Sequence, residues 1–228
     1  DGTQAACGSC HGTPPPSPHP ASTACGSCHA SMSRDGASFI APDLHINGVL
    51  DVRPMDCDSC HGGGGVAAPP LDTSGGVSTS LRGVGAHRSH LGVSAWHAEI
   101  TCAECHRVPA SFADPGHMDS SLPADLTFGA RATADGAMPS WDGVRCTAVY
   151  CHGSTLSTAG PITNPQWTVV DGSQAACGTC HAAHPRHGTA ECWDCHPATM
   201  APGGGFADPS RHINGTVEAL GCLDCHFR

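Results

Sequence analysis

The sequence predicts a mostly irregular fold: coil with short helices, minimal β-structure, and an interior that aliphatic side chains do not fill. Glycine and proline, 29 and 19 of the 228 residues, disfavour long helices and an ordered sheet. Aromatic residues make up only 4% of the chain, and many of the apolar residues are alanines, so side chains bury little area. The third observation is the recurrence of 16 cysteines and 17 histidines in one pattern.

Every cysteine belongs to one of eight pairs, and a histidine directly follows each pair. Seven pairs have the form Cys-x-x-Cys-His, and the fifth has the form Cys-x-x-x-x-Cys-His. The pattern is typical of c-type haem attachment, in which two thiols on a short turn bind the haem vinyl groups and the adjacent imidazole coordinates the iron. The predicted attachment residues are Cys7, Cys10, Cys25, Cys28, Cys57, Cys60, Cys102, Cys105, Cys146, Cys151, Cys177, Cys180, Cys192, Cys195, Cys222 and Cys225. The predicted proximal ligands are His11, His29, His61, His106, His152, His181, His196 and His226.

A disulfide scaffold and a set of zinc sites are the alternatives for so many cysteines. Neither requires a histidine directly after the second cysteine of every pair, and zinc needs a fourth ligand at each site. We therefore expect eight covalently attached haems c, about one for every 28 residues. The expected fold is coil wrapped around a closely packed haem stack, with short helical turns at the attachment motifs.

Internal repeats organise the chain. Residues 1–61 and 171–226 begin with nearly the same seven residues, and both contain His-Ile-Asn-Gly, at His45 and His212. A shorter module occurs three times, in which a histidine precedes an attachment motif and a phenylalanine and a second histidine follow it. The predicted divisions of one haem-cored domain are a three-haem unit at 1–61, a Gly/Pro-rich connector carrying distal histidines at 62–95, a two-haem unit with an inserted loop at 96–170, and a three-haem unit at 171–228.

Nine histidines lie outside the attachment motifs, close to the eight that are needed as distal ligands. His87 and His90 lie three residues apart, on one face if helical, and are expected to serve the first and sixth motifs. His184 is the expected spare, although it can exchange roles with His187. The six histidines at repeated module positions are His19, His45, His97, His117, His187 and His212.

Charge and hydropathy exclude several classes of function. The net charge of −10 argues against a nucleic-acid partner, since phosphate binding requires a basic face. Lysine is absent, which excludes lysine-ligated catalytic haems. No long apolar run predicts a transmembrane segment, and no signal peptide is recognisable at Asp1, so we expect a mature, exported chain.

The fifth attachment motif has the spacing Cys146-x-x-x-x-Cys151-His152, and Pro-x-Trp follows it at Pro165 and Trp167. Together these features resemble the CxxxxCH/CxxCH multihaem cytochromes of metal-reducing bacteria. The resemblance implies haems with two histidine ligands, export, and electron transfer to redox proteins or to extracellular acceptors such as metal oxides. Some exported multihaem cytochromes polymerise into filaments, and attachment motifs near both ends of this chain suit such a homopolymer.

We expect an electron conductor and not an enzyme, because two axial imidazoles leave no position for a substrate on the iron. The expected form is an extracellular or cell-surface filament. A monomeric periplasmic or cell-surface shuttle is one alternative, and a multihaem reductase is another. A reductase requires a five-coordinate haem, whereas nine candidate histidines for eight irons leave no forced vacancy.

Overall fold

Regular secondary structure is short throughout the part of the chain that the computed structural model describes. The described residues are 8–16, 19, 23, 25–33, 36, 38–52, 57–59, 61–63, 65–73, 75–92, 94–111, 114–117, 124–181 and 191–216. Within them, two α-helices are single turns of four residues, α1 at His87–His90 and α2 at Cys192–Cys195. Seven 3₁₀ helices of three residues each lie at Cys25–Ser27, Pro42–Leu44, Cys57–Ser59, Cys102–Glu104, Ala134–Gly136, Tyr150–His152 and Pro209–Arg211.

One small hairpin accounts for the strands of the described part. Strands β1 (Ser140–Trp141) and β2 (Cys146–Thr147) pair antiparallel, with Trp141 opposite Cys146. The carboxylate of Asp142 accepts hydrogen bonds from the backbone N–H groups of the connecting turn, and these bonds lower the pKa of Asp142. The predicted fold class, coil with short helices and minimal β-structure, is confirmed.

Four attachment motifs share one backbone turn. The N–H of the motif histidine donates to the carbonyl oxygen of the first cysteine, at 2.9 Å for His29, 3.0 Å for His61, 2.8 Å for His106 and 2.9 Å for His196. This bond closes a single helical turn and brings both cysteines and the histidine together. In the first and sixth motifs the residue after the first cysteine is instead a glycine at positive φ, which the other motifs do not use at that place.

Few apolar side chains are buried. In the described ranges the buried hydrophobic residues are Val84, Ile100, Ala132 and Val149, and no large side chain is fully buried. Burying one such side chain contributes only about 2 kcal/mol, whereas ordering each residue of the chain costs about 1–2 kcal/mol. The described part therefore has no ordinary side-chain core, as the composition predicts.

The chain forms two compact units. The first comprises residues 1–68 and 109–124, and the second comprises 69–108 and 125–228. The repeat boundaries predicted from the sequence stay predictions, because a compact unit and a sequence repeat are different divisions of a chain. None of the helices in the described ranges is long and apolar enough to cross a membrane.

Candidate functional site

Pairs of facing imidazoles are the main feature of both units. Each pair joins one motif histidine to one of the histidines predicted as distal ligands. The five pairs and their ring-centroid separations are His19 with His29 (6.2 Å), His61 with His117 (6.1 Å), His87 with His106 (6.2 Å), His90 with His152 (6.1 Å) and His181 with His212 (6.4 Å). Their relative tilts vary from 2° to 70°, so the shared property is the separation and not a common stacking geometry.

The separation fits a metal ion between two imidazoles. A metal–nitrogen bond of about 2.0–2.1 Å, added to roughly 1.1 Å from nitrogen to ring centroid, places two trans imidazole centroids about 6.3 Å apart. Ring pairs that pack directly have centroids anywhere between about 4.5 and 7 Å. The narrow range of 6.1–6.4 Å across five pairs of unrelated tilt therefore matches axial coordination better than ring packing.

Backbone carbonyls set the tautomer of several of these histidines. A carbonyl oxygen only accepts hydrogen bonds, so a ring nitrogen within reach of it carries the proton. The acceptors of Nδ1–H are the carbonyl oxygens of Val84 for His87 (2.8 Å), Ala86 for His90 (2.8 Å), Asp125 for His106 (3.3 Å) and Trp96 for His212 (2.6 Å). In all four, Nε2 keeps its lone pair and is the nitrogen available to a metal.

Helix α1 presents two imidazoles to two different motif histidines. His87 and His90 are three residues apart on this single turn, and they face His106 and His152. The sequence leads us to expect these two histidines at the first and sixth motifs, whereas the structure places them opposite His106 and His152. The difference arises because facing pairs depend on how segments distant in the chain pack, and the ligand roles of His87 and His90 stay predictions.

Trp167 holds both imidazoles of α1. Its ring meets His87 edge-on at 4.8 Å and lies against His90 at 5.7 Å. The indole Nε1–H donates to the carbonyl oxygen of Arg82 at 2.7 Å, which ties the ring to the segment preceding α1. A Cβ atom on Gly85 would collide with this indole. In the sequence, Trp167 stands out only as part of a family signature, and no sequence pattern indicates this positioning role.

We expect Trp167→Phe to lower the free energy of unfolding by about 1 kcal/mol, because it removes the hydrogen bond to Arg82 and keeps an aromatic ring. Trp167→Ala is expected to cost about 3 kcal/mol and to leave the imidazoles of His87 and His90 without their support. Denaturant unfolding with optical and EPR spectra of the haem-loaded protein measures both effects. Trp141→Phe in strand β1 is the matched control, and a wild-type spectrum for Trp167→Ala would contradict the positioning role.

The fifth motif is partly buried. Burial, with a smaller effect of the nearby His90, lowers the pKa of His152 to about 4, so its imidazole is neutral at pH 7. Burial likewise raises the pKa of the Cys151 thiol to about 12 and that of Cys146 to about 11. The His152 Nδ1 atom and the hydroxyls of Ser154 and Thr155 are buried without a hydrogen-bond partner in the described part. Uncharged side chains and unsatisfied polar atoms at one place fit a site that receives a large, mainly apolar group with polar edges.

The segment that the sequence analysis called an inserted loop organises the fourth and fifth motifs. The N–H of Thr127 donates to the carbonyl oxygen of Cys105 at 3.0 Å, and the N–H of Ala132 donates to the Glu104 carboxylate at 2.8 Å. The N–H of Tyr150, in the fifth motif, donates to the carbonyl oxygen of Ala132 at 3.0 Å. This segment therefore connects the two motifs whose histidines face α1.

The motif cysteines that the structure describes are not joined by disulfide bonds. In the described ranges, motif pairs such as Cys102 with Cys105 and Cys146 with Cys151 form no disulfide bond. The described residues also contain no group of three or more His, Cys, Asp or Glu side chains arranged to hold a metal ion. The arrangement that the structure does provide is a pair of imidazoles beside a pair of thiols, which is the residue set that covalent haem attachment requires.

Some predicted site residues have no facing imidazole in the described part, namely His11, His45 and His97. His97 is buried, with Nδ1 2.7 Å from the carbonyl oxygen of Ala98 and Nε2 3.2 Å from that of Ser89. Its ligand role stays a prediction. Other predicted residues lie outside the described ranges: Cys7, Cys60, His184, His187, Cys222, Cys225 and His226.

The model of the Geobacter CxxxxCH...CXXCH motif matches residues 145–181 of the chain. These residues contain the fifth and sixth attachment motifs, with His152 and His181 facing His90 and His212. No curated protein and no solved structure matches the chain. The match is confined to residues 145–181, and together with the attachment sequences it is consistent with a multihaem c-type cytochrome of the CxxxxCH/CxxCH type.

Proposed function

We propose that this protein is an octahaem cytochrome c that conducts electrons over long range through haems with two histidine ligands each. The observation that carries the proposal is the set of five facing imidazole pairs with centroids 6.1–6.4 Å apart, each containing one motif histidine. When bound, the haems supply reversible one-electron redox chemistry at their irons. Haems held by an imidazole of this chain on each side would offer no open position to a substrate, which favours conduction over a reductase reaction.

The chain would contribute the ligands, their orientation and a partly buried surrounding. The Nδ1–H bonds to backbone carbonyls orient the imidazoles and make Nε2 more basic, which favours the oxidised iron and lower potentials. His90 and His152 are both partly buried, which limits the access of water to this pair. Ligands that the protein holds in place in this way would need little reorganisation on electron transfer.

The proposed form is an extracellular homopolymer in which copies of this chain continue the haem chain. Large apolar side chains are exposed in each compact unit: Leu50 and Val49 are 80% and 67% exposed in the first, and Met138 is 82% exposed in the second. Exposed apolar surface supports contacts with another protein surface, and a second copy is the occupant that keeps the haems in series. An exported monomeric shuttle has the same chemistry without this assembly.

Pyridine-haemochrome quantitation with intact mass tests the haem content, and eight haems per chain is the expected value. EPR and optical spectra are expected to show low-spin iron only; a five-coordinate, high-spin signal in the wild type would favour the reductase. Negative-stain microscopy of purified material is expected to show filaments. If only free particles are seen and the protein contains eight low-spin haems, the proposal of a homopolymer is wrong, whereas the proposal of an electron conductor still holds.

A further inference from the structure

The facing pairs follow a rule that the repeats make visible. In the middle module the histidine after the phenylalanine is His117, and it faces His61, the motif histidine that precedes the module. In the last module the corresponding histidine is His212, and it faces His181, again the motif histidine that precedes the module. In these two modules, therefore, the second histidine faces the histidine of the attachment motif that precedes the module in the chain. In the first module these positions are His45 and His11.

The structure builds His45 and His212 in the same way. Each follows a 3₁₀ helix, Pro42–Leu44 or Pro209–Arg211, and donates its backbone N–H to the carbonyl oxygen of the proline, at 3.1 and 3.2 Å. The backbone angles of the two histidines are φ −86°, ψ 127° and φ −83°, ψ 128°. The orientation of the backbone that carries each imidazole is therefore the same in the two copies.

The surroundings also agree. The ring of His45 lies 4.4 Å from Phe39, and the ring of His212 lies 4.4 Å from Phe206. Each phenylalanine forms a β-bridge to a methionine, Met32 or Met200. The isoleucine after each histidine has positive φ, 65° for Ile46 and 62° for Ile213, a conformation that β-branched residues rarely adopt. Strain retained in both copies indicates that the turn has a specific task there, which is to present the imidazole.

The two copies differ in what faces the imidazole. His212 is half-buried opposite His181, whereas His45 is exposed and Ile46 beside it is 89% exposed. His11 is exposed as well, and its Nδ1–H donates to the carbonyl oxygen of Gly12 at 3.0 Å, which leaves the lone pair on Nε2. Both ligands of the expected pair are thus accessible, and both belong to the first compact unit.

We propose that His45 is the distal ligand of the haem attached at Cys7 and Cys10, opposite His11 of the same chain. The inference rests on the proposed function, since it assigns one of its ligand pairs. This assignment gives the first motif a distal ligand other than His87 or His90, which the sequence favours there.

The test uses the full-length, haem-loaded protein. His45→Ala is expected to keep all attached haems and to convert about one eighth of the iron from low-spin to high-spin, measured by EPR and haemochrome quantitation. In a Cys7→Ala/Cys10→Ala background, which lacks the first haem, His45→Ala is expected to add no high-spin iron. His212→Ala is the matched control, and it is expected to add high-spin iron in both backgrounds.

Three results would overturn the assignment. High-spin iron added by His45→Ala in the haem-deficient background would place His45 on another haem, and no high-spin iron in either background would exclude it as a ligand. If mixing the His45→Ala chain with the Cys7→Ala/Cys10→Ala chain removes the high-spin signal, His45 acts on a second copy. A wild type without haem, or with high-spin iron already present, would instead contradict the proposed function.

His45→Met is a second variant that tests the assignment even if His45→Ala does not fold. A thioether keeps the iron low-spin and raises the potential, so one haem is expected to titrate at higher potential than in the wild type. The Cys7→Ala/Cys10→Ala background is expected to abolish that shift. A shift that persists in this background contradicts the assignment.

Discussion

Replacing His87 and His90 together by alanine is expected to convert two of the eight proposed haems to five-coordinate, high-spin iron, while the single variants convert one each. The reason is geometric: the two imidazoles of α1 face His106 and His152, and each has its Nδ1 proton engaged by a backbone carbonyl. EPR spin quantitation and the optical spectrum measure the conversion, and haemochrome quantitation checks that attachment is unchanged.

Ser89→Ala is the matched control for this pair, because Ser89 lies in the same helical turn between the two histidines. It is expected to leave the iron low-spin throughout. The amounts of high-spin iron in the two single variants are expected to sum to the amount in the double variant, since each variant removes a ligand of a different iron. If one single variant converted both haems, α1 would act as a structural element and not as the carrier of two independent ligands.

Gly85→Ala is expected to disturb the same two sites without touching a ligand. Gly85 has φ +40°, and an added Cβ would collide with the Trp167 indole that lies against both imidazoles. Forced displacement in a packed contact, added to the cost of positive φ, lowers the free energy of unfolding by about 2–4 kcal/mol. High-spin iron is expected in up to two haems, and denaturant unfolding with EPR measures both effects.

Gly92→Ala is the control that distinguishes the collision with Trp167 from the conformational cost of an alanine at positive φ. Gly92 also has positive φ, at +78°, but an added Cβ there meets nothing within 4 Å. It is expected to cost only about 1 kcal/mol and to leave the spectrum unchanged. Trp167→Phe in the Gly85→Ala background should recover part of the low-spin iron, because the atoms of the collision belong to the pyrrole ring that phenylalanine lacks. No recovery would mean that Gly85 acts through another contact.

The local parts of the site were predictable. An attachment motif spans a single turn, so the spacing of two cysteines and a histidine already determines that they lie together, and the bond from His106 N–H to Cys102 at 2.8 Å shows this turn. The helical spacing of His87 and His90 was likewise readable, because it depends only on neighbours in the chain. Low aromatic content and abundant glycine predicted the thin core for the same reason: composition limits burial whatever the topology.

The number of histidines alone could not predict which imidazole faces which motif histidine. Nine candidates for eight irons allow many pairings, and a pairing depends on which segments pack together. His117 lies far along the chain from His61, yet residues 109–124 belong to the same compact unit as His61. The role of Trp167 depends on an indole reaching Arg82 across 85 positions of sequence, a distance over which no local pattern carries information.

By itself, the amino-acid order determined the chemistry: which thiols and imidazoles lie on each short turn, how many such turns there are, and that aliphatic side chains do not fill the interior. Only the tertiary structure decided which second imidazole faces each motif histidine, and that Trp167 and residues 124–145 support the fourth and fifth motifs. The physical reason is range: a turn is set by hydrogen bonds within five residues, whereas a facing pair is set by the packing of segments distant in the chain.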